Sequence, residues 1–144
     1  MKNITIAQAG LILRIVLGIT MLSAVADRFG LWGAPGAAGV AWGNWENFVL
    51  YTNALNPFAS KSTAEVLGGL ATFFEILFSL LLFIGFKTKL TALGTAVLML
   101  LFALSMAIST SIKAPFDYSV LTSSAAALLL SAIGKTDYAF DNKI

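Results

Sequence analysis

The chain has 144 residues, 58% of them hydrophobic and 11% charged, against roughly 25% charged in soluble domains. A net charge of +2 on singly scattered lysines gives nucleic acid no basic patch, and the absence of cysteine and histidine removes disulfides, thiol redox chemistry and imidazole metal sites together. What remains is a bilayer: a helix needs about 20 mainly apolar residues to cross hydrocarbon, and Leu90–Ile112 holds no charge while Val66–Phe86 holds only Glu75.

In chain order, the first predicted span runs over Ile4–Ala26. Lys2, the apolar stretch and Ala24-Val25-Ala26 before Asp27 imitate a cleavable signal, but Arg14 interrupts what would be its apolar core, so the segment is expected to be retained. At 100° per residue, Gly10, Arg14, Gly18, Met21, Val25 and Arg28 share one face. A turn-rich stretch follows, with Gly30, Gly33, Pro35, Gly36 and Gly39. Trp45, Phe48, Val49, Thr52 and Leu55 then recur at helical spacing, with Asn44, Asn47 and Asn53 among them and Pro57 after. Tryptophan and tyrosine prefer the headgroup level, so Trp32, Trp42, Trp45 and Tyr51 predict an interfacial helix on the outer surface, its Trp45, Phe48 and Leu55 stripe facing the membrane. The rival reading makes this segment a lid over a ligand cavity.

The second predicted span, Ala64–Phe86, carries Glu75 among Gly68, Ala71, Thr72 and Ser79, small or weakly polar residues that permit close helix approach. The third covers Leu90–Ile112. The fourth, Tyr118–Ile133, is short, with room to extend back toward Pro115; its Tyr118, Ser119, Thr122, Ser123, Ser124 and Ser131 are read as packing groups rather than a polar cleft. Lys2, Lys87, Lys89, Lys135 and Lys143 fall on one side of this layout and Arg28, Lys61 and Lys113 on the other, so the positive-inside rule places both termini in the cytoplasm. No internal repeat is visible. The expected fold is all-α, an integral membrane four-helix bundle forming one domain over residues 1–144, with an interfacial helix in its first outer loop.

Two charges lie well inside spans, where an unpaired one costs about 2.5–3.5 kcal/mol. Counting about 1.5 Å per residue, Arg14 sits roughly 12 Å and Glu75 roughly 16 Å from the cytoplasmic ends of their helices. The two are therefore expected to meet. One reading makes the pair a structural dock between helices; the other makes Glu75 a proton carrier beside a hydrophobic redox ligand. Asp27 and Arg28, at the outer end of the first helix, mean little alone, and no metal site or catalytic residue is assigned.

These residues resemble the DoxX family of small bacterial membrane proteins. Leu13-Arg14-Ile15-Val16-Leu17-Gly18 is similar to the family's arginine with glycine four residues on, and Arg28 stands where the family often has lysine. Glu75 followed by Leu80-Leu81-Leu82-Phe83-Ile84-Gly85-Phe86-Lys87-Thr88-Lys89-Leu90 looks like the family's glutamate, leucine-rich run, glycine, threonine and basic residue. Val25 departs from a glycine often found there, and Asp27 adds an acid. The resemblance implies a four-helix inner-membrane protein, some members being linked to quinone-coupled oxidation of sulfur compounds and others to oxidative-stress complexes. The expected function is a membrane subunit or scaffold of a redox system, its candidate cleft formed by Arg14, Glu75, Arg28, Trp42, Trp45 and Tyr118 and suited to a quinone. No cofactor motif is evident in the chain, so a redox partner protein is expected beside the lipid bilayer, and an oligomer is compatible with the sequence. A small proton-coupled transporter of a lipophilic solute and a purely structural assembly subunit are the alternatives; a permanent arginine beside Glu75 argues against export of a cation.

Overall fold

The computed structural model describes residues 3–143, which contain helices and no strand. In chain order these are α1 (Ile6–Arg28), α2 (Trp45–Leu55), α3 (Lys61–Ile84), α4 (Thr88–Ser109), α5 (Ala114–Asp117) and α6 (Val120–Ile133), followed by a 3-10 turn at Phe140–Asn142. Helices α1, α3 and α4 have 23, 24 and 22 residues and are apolar and long enough to cross a membrane. Lys2, one of the lysines used for the topology, lies outside the described residues.

Local chemistry explains most boundaries. Thr5 and Gln8 form a reciprocal capping box that starts α1, Asn44 accepts the Asn47 amide to start α2, and Ser60 accepts the Thr63 amide to start α3. Gly85 ends α3 at φ 71°, a left-handed conformation that glycine adopts without steric cost. The expected fourth span is corrected at its start: Pro115 opens the short α5, Ser119 has φ 56°, and the long helix begins only at Val120. At about 1.5 Å per residue its 14 residues reach roughly 21 Å.

Leu17 and Met21 of α1, Leu82 of α3, Ala92, Ala96 and Met99 of α4, and Ala127 and Leu130 of α6 form the core. Alanines let α4 and α6 approach closely, and two serines fasten them: Ser124 Oγ donates to Ala96 O at 2.8 Å and Ser131 Oγ to Lys89 O at 2.9 Å. Those hydroxyls therefore serve packing, as expected. The exterior is apolar: Ile12, Val16 and Ile19 of α1 and Leu93, Val97 and Leu101 of α4 are exposed, the inverse of a soluble surface and suited to lipid.

The segment after α6 folds back under the bundle. Asp137 N donates to Ala7 O and Asp141 N to Gly85 O. Lys87 at the start of α4 offers no side-chain cap; Asp141, far along the chain, supplies one by accepting the amides of Lys87 at 2.6 Å and Thr88 at 2.7 Å. Burial alone would raise the Asp141 carboxyl, but the Thr88 and Lys87 amides and the Arg14 charge outweigh it and hold it below the usual carboxylate range. A carboxyl held low contributes stability that is fully present above its unfolded value, about 3.9, and is lost as pH falls through its folded value. Asp141→Asn is expected to cost about 1 kcal/mol at neutral pH, a fall of a few degrees in the detergent-solubilised Tm. The two curves should converge in acid; an equal gap at every pH contradicts the cap.

Candidate functional site

The face of α1 read from the sequence is real. Gly10, Arg14, Gly18, Met21, Val25 and Arg28 are all buried, as are Gly68, Thr72, Glu75 and Ser79 on α3. The pairing across these faces is not the expected one: Glu75 meets Arg28, not Arg14. Arg28 Nη1 donates to Glu75 Oε2, Arg28 Nη2 donates to Glu75 Oε1 at 3.0 Å, and Nη1 also donates to Thr72 Oγ1 at 2.8 Å. Arg28 is 3% and Glu75 2% exposed, so this is a fully desolvated bidentate pair.

Side-chain direction accounts for the exchange. Every Cα–Cβ bond of a helix tilts toward its N-terminus. On α1 this turns Arg14 toward the helix start and away from Glu75, and turns Arg28 back into the protein; on the antiparallel α3 it turns Glu75 toward Arg28. Arg14 instead reaches the folded-back tail, where Nη1 donates to Thr136 Oγ1 at 2.8 Å and Nη2 to Tyr138 O at 3.3 Å. The two arginines stand about 21 Å apart along one helix. A Cβ on Gly85 would collide with Arg14 Nη1, and Gly10 leaves room for Thr136, so these glycines admit the tail.

At the α2 end, the Arg28 guanidinium lies 4.0 Å from the Phe48 ring centroid and 5.4 Å from that of Trp42, in reach of both ring faces. Phe48 meets Trp42 edge-on at 5.2 Å, and Trp42 leads on to Tyr51 at 5.7 Å. Trp45 packs on Phe48 at 5.4 Å and stacks on Phe29 at 5.9 Å. This corrects the reading of α2 in part: the helix is where expected, but Phe48 of the expected stripe is buried over the ion pair, while Trp45 and Leu55 are half-buried. Gly68 on α3 gives Phe48 its space.

Asp27, dismissed from the sequence, holds the loop that carries Trp42. Its carboxylate accepts the amides of Ala41 at 2.7 Å, Trp42 at 3.2 Å and Gly43 at 2.8 Å. Gly43, at φ 69°, has no room for a Cβ beside Pro35. Tyr118 is 74% exposed; burial pushes the Tyr51 phenol up, and the Tyr118 charge adds to it. Of the six candidate residues, Arg28, Glu75 and Trp42 come together, Trp45 joins them through Phe48, Tyr118 stands exposed outside this group, and Arg14 belongs to the opposite end. Phe48 and Thr72 are the partners that sequence reasoning did not single out for this site, and α2 spacing and the small face around Glu75 were their only signals.

Two depressions lie at the opposite end, one of about 400 Å³ beside Ile84 and Tyr138 and one of about 300 Å³ beside Lys87 and Lys135. Among the described residues no cluster of acidic side chains suits a metal ion.

Long apolar helices, lipid-suited exteriors and a desolvated ion pair define a small helical membrane protein. A family model, DoxX, matches residues 9–108, and the chain belongs to the DoxX family. No curated protein and no solved structure matches it.

The pairing gives a test by exchange. Glu75→Leu alone strands a buried Arg28 and should cost about 3–5 kcal/mol, seen as loss of monodisperse protein after detergent extraction. Arg28→Leu with Glu75→Leu should recover that yield, and Arg14→Leu with Glu75→Leu should not. Rescue by the Arg14 change would refute the pairing described above.

Proposed function

We propose that the chain is a four-helix subunit or scaffold of a bacterial inner-membrane redox system, with α6 as its short fourth span, α2 lying at the outer interface, and a quinone headgroup docking beside the Arg28 and Glu75 pair at the edge of the Trp42 and Phe48 rings. One observation carries the reading: Arg28 Nε, beside these rings, is buried without a hydrogen-bond partner, as Arg14 Nε is at the opposite end. Buried donors are rarely left so, and a quinone carbonyl is an acceptor of matching chemistry. Flat aromatic faces beside it suit an apolar ring.

A quinone supplies a lipophilic carrier of two electrons and two protons. The chain's part is to bind and protonate. Arg28 Nε would donate to the carbonyl; the Glu75 carboxylate, held by both Arg28 amino groups, is the group able to exchange a proton there; α2 and the Asp27-anchored loop exclude water. Having neither cysteine nor histidine, the chain relies on a partner protein for electrons. The Arg28 charge beside Glu75 disfavours a cation exporter, whereas the bidentate pair itself favours the rival of a purely structural subunit.

Titrating a short-chain benzoquinone into protein in lipid nanodiscs, with tryptophan fluorescence as readout, separates these readings. Saturable quenching is expected in the native chain and should vanish in the folded double variant Arg28→Leu with Glu75→Leu. Unchanged quenching in that variant leaves the pair structural and overturns the quinone site.

The same reading places both chain ends and the Lys87–Lys89 turn in the cytoplasm. A reporter fused after Gly134 should be active in its cytoplasmic form only; periplasmic-type activity there reverses the orientation.

A further inference from the structure

The end of the bundle opposite α2 carries a feature that the quinone reading does not use. Between the start of α4 and the end of α6 lies the depression of about 300 Å³, lined by Lys87, Thr88, Lys89, Leu90, Gly134, Lys135 and Asp141. All three lysines are exposed, and among the described residues none forms an ion pair. Their counterparts at the other end are already matched, Lys61 with Glu46 and Lys113 with Asp117. The one carboxylate lining the depression, Asp141, is committed to the Lys87 and Thr88 amides. An open depression with three ammonium groups free of any ion pair, Lys87 resting on the Phe86 ring, and one occupied acid calls for an anion.

Its surroundings say which kind. Leu90 in its wall is 64% exposed, and Leu93, Val97 and Leu101 continue from it along one side of α4, exposed by 43, 51 and 55%. That stripe runs from the basic depression into the span for about 17 Å, the direction an acyl chain takes from its headgroup. Gly134 keeps the floor open to the Lys89 side chain, since a Cβ there would strike Lys89 Cε, and Ser131 Oγ bonded to Lys89 O fixes the two helix ends in register. Basic pockets between spanning helices recognise anionic lipid headgroups by this combination of charge and apolar track.

We infer that the depression between α4 and α6 binds the phosphate headgroup of an anionic phospholipid, with an acyl chain along the Leu90, Leu93, Val97 and Leu101 stripe. The site is independent of the ion pair at the α2 end and stands whether or not a quinone binds there.

Delipidated, detergent-solubilised full chain should be offered dioleoyl phosphatidylglycerol or dioleoyl phosphatidylcholine, with bound lipid counted by native mass spectrometry and Tm recorded alongside. The native chain should retain phosphatidylglycerol in preference, with a raised Tm that declines with salt. Each lysine near the surface is worth roughly a fivefold factor in affinity, so Lys87→Gln, Lys89→Gln and Lys135→Gln together should lower the preference on the order of a hundredfold. Lys61→Gln with Lys113→Gln should leave it unchanged. Should the triple variant fail to fold, Lys135→Gln alone, an exposed change, should show its roughly fivefold share. Undiminished preference in these variants, or equal loss in the Lys61 and Lys113 control, refutes the site. Inorganic phosphate that raises Tm as far as the lipid does refutes the acyl-chain assignment and with it the lipid proposal.

Discussion

A guanidinium inside a bilayer must find its partners within the reach and direction that its helix allows. That constraint organises both ends of this molecule. Two arginines share one face of α1, and the N-terminal tilt of helical side chains sends both toward the start of the helix. For Arg28 this leads into the protein, where α3 presents Glu75 with the opposite tilt. For Arg14 it leads to the edge of the bundle, where no acid waits on a neighbouring span and the chain's last segment must come round to supply Thr136 Oγ1 and Tyr138 O. A buried ion pair is weak evidence for stability, because desolvation offsets most of its attraction. Its effect here is positional: it sets the register of α1 on α3 and gives α2 a charge to cover.

From that pair the α2 end follows in order. Arg28 draws the rings of Trp42 and Phe48 over itself, Asp27 beside it gathers three successive loop amides, and α2 closes on α3 where Gly68 leaves room. Adjacent residues of opposite charge thus do unlike work, one facing into the span and the other organising the loop above it. The opposite end uses the same device with different parts: Asp141 gathers the first amides of α4, and Gly85 makes way for Arg14.

The spans α1, α3 and α4 were legible because hydrocarbon imposes a length and a composition on any helix that crosses it. The small-residue faces around Arg14 and Glu75 were legible by the same periodicity. Which charges meet was not, because counting rise per residue gives depth and says nothing of tilt; the extra turn of α3 before Ala64 and the continuation of α1 to Arg28 also shifted the levels. The helix at Trp45–Leu55 was visible, yet its orientation was not, since an amphipathic stripe looks alike whether it rests on lipid or roofs an ion pair. Tyr118 and Ser119 read as the start of a span because the hydroxyl-rich stretch has no glycine to mark the left-handed break. Thr136 and Asp141, in a polar tail without periodicity, carried no sequence signal at all.

The partners of Arg14 lie 122 and 124 residues farther along the chain, while those of Arg28 lie within 47. At a translation rate of roughly 5–20 residues per second, the first helix enters the membrane and waits on the order of ten seconds before its own counterpart has been synthesised. During that interval a long arginine side chain can keep its guanidinium hydrated by snorkelling toward the headgroups. The arginine can be drawn onto these partners only after Thr136 and Tyr138 have been made, so a late-made segment fixes the depth of α1. A product cut short before Thr136 would leave Arg14 without the hydroxyl and carbonyl that hold it, and α1 without its tie to the segment after α6.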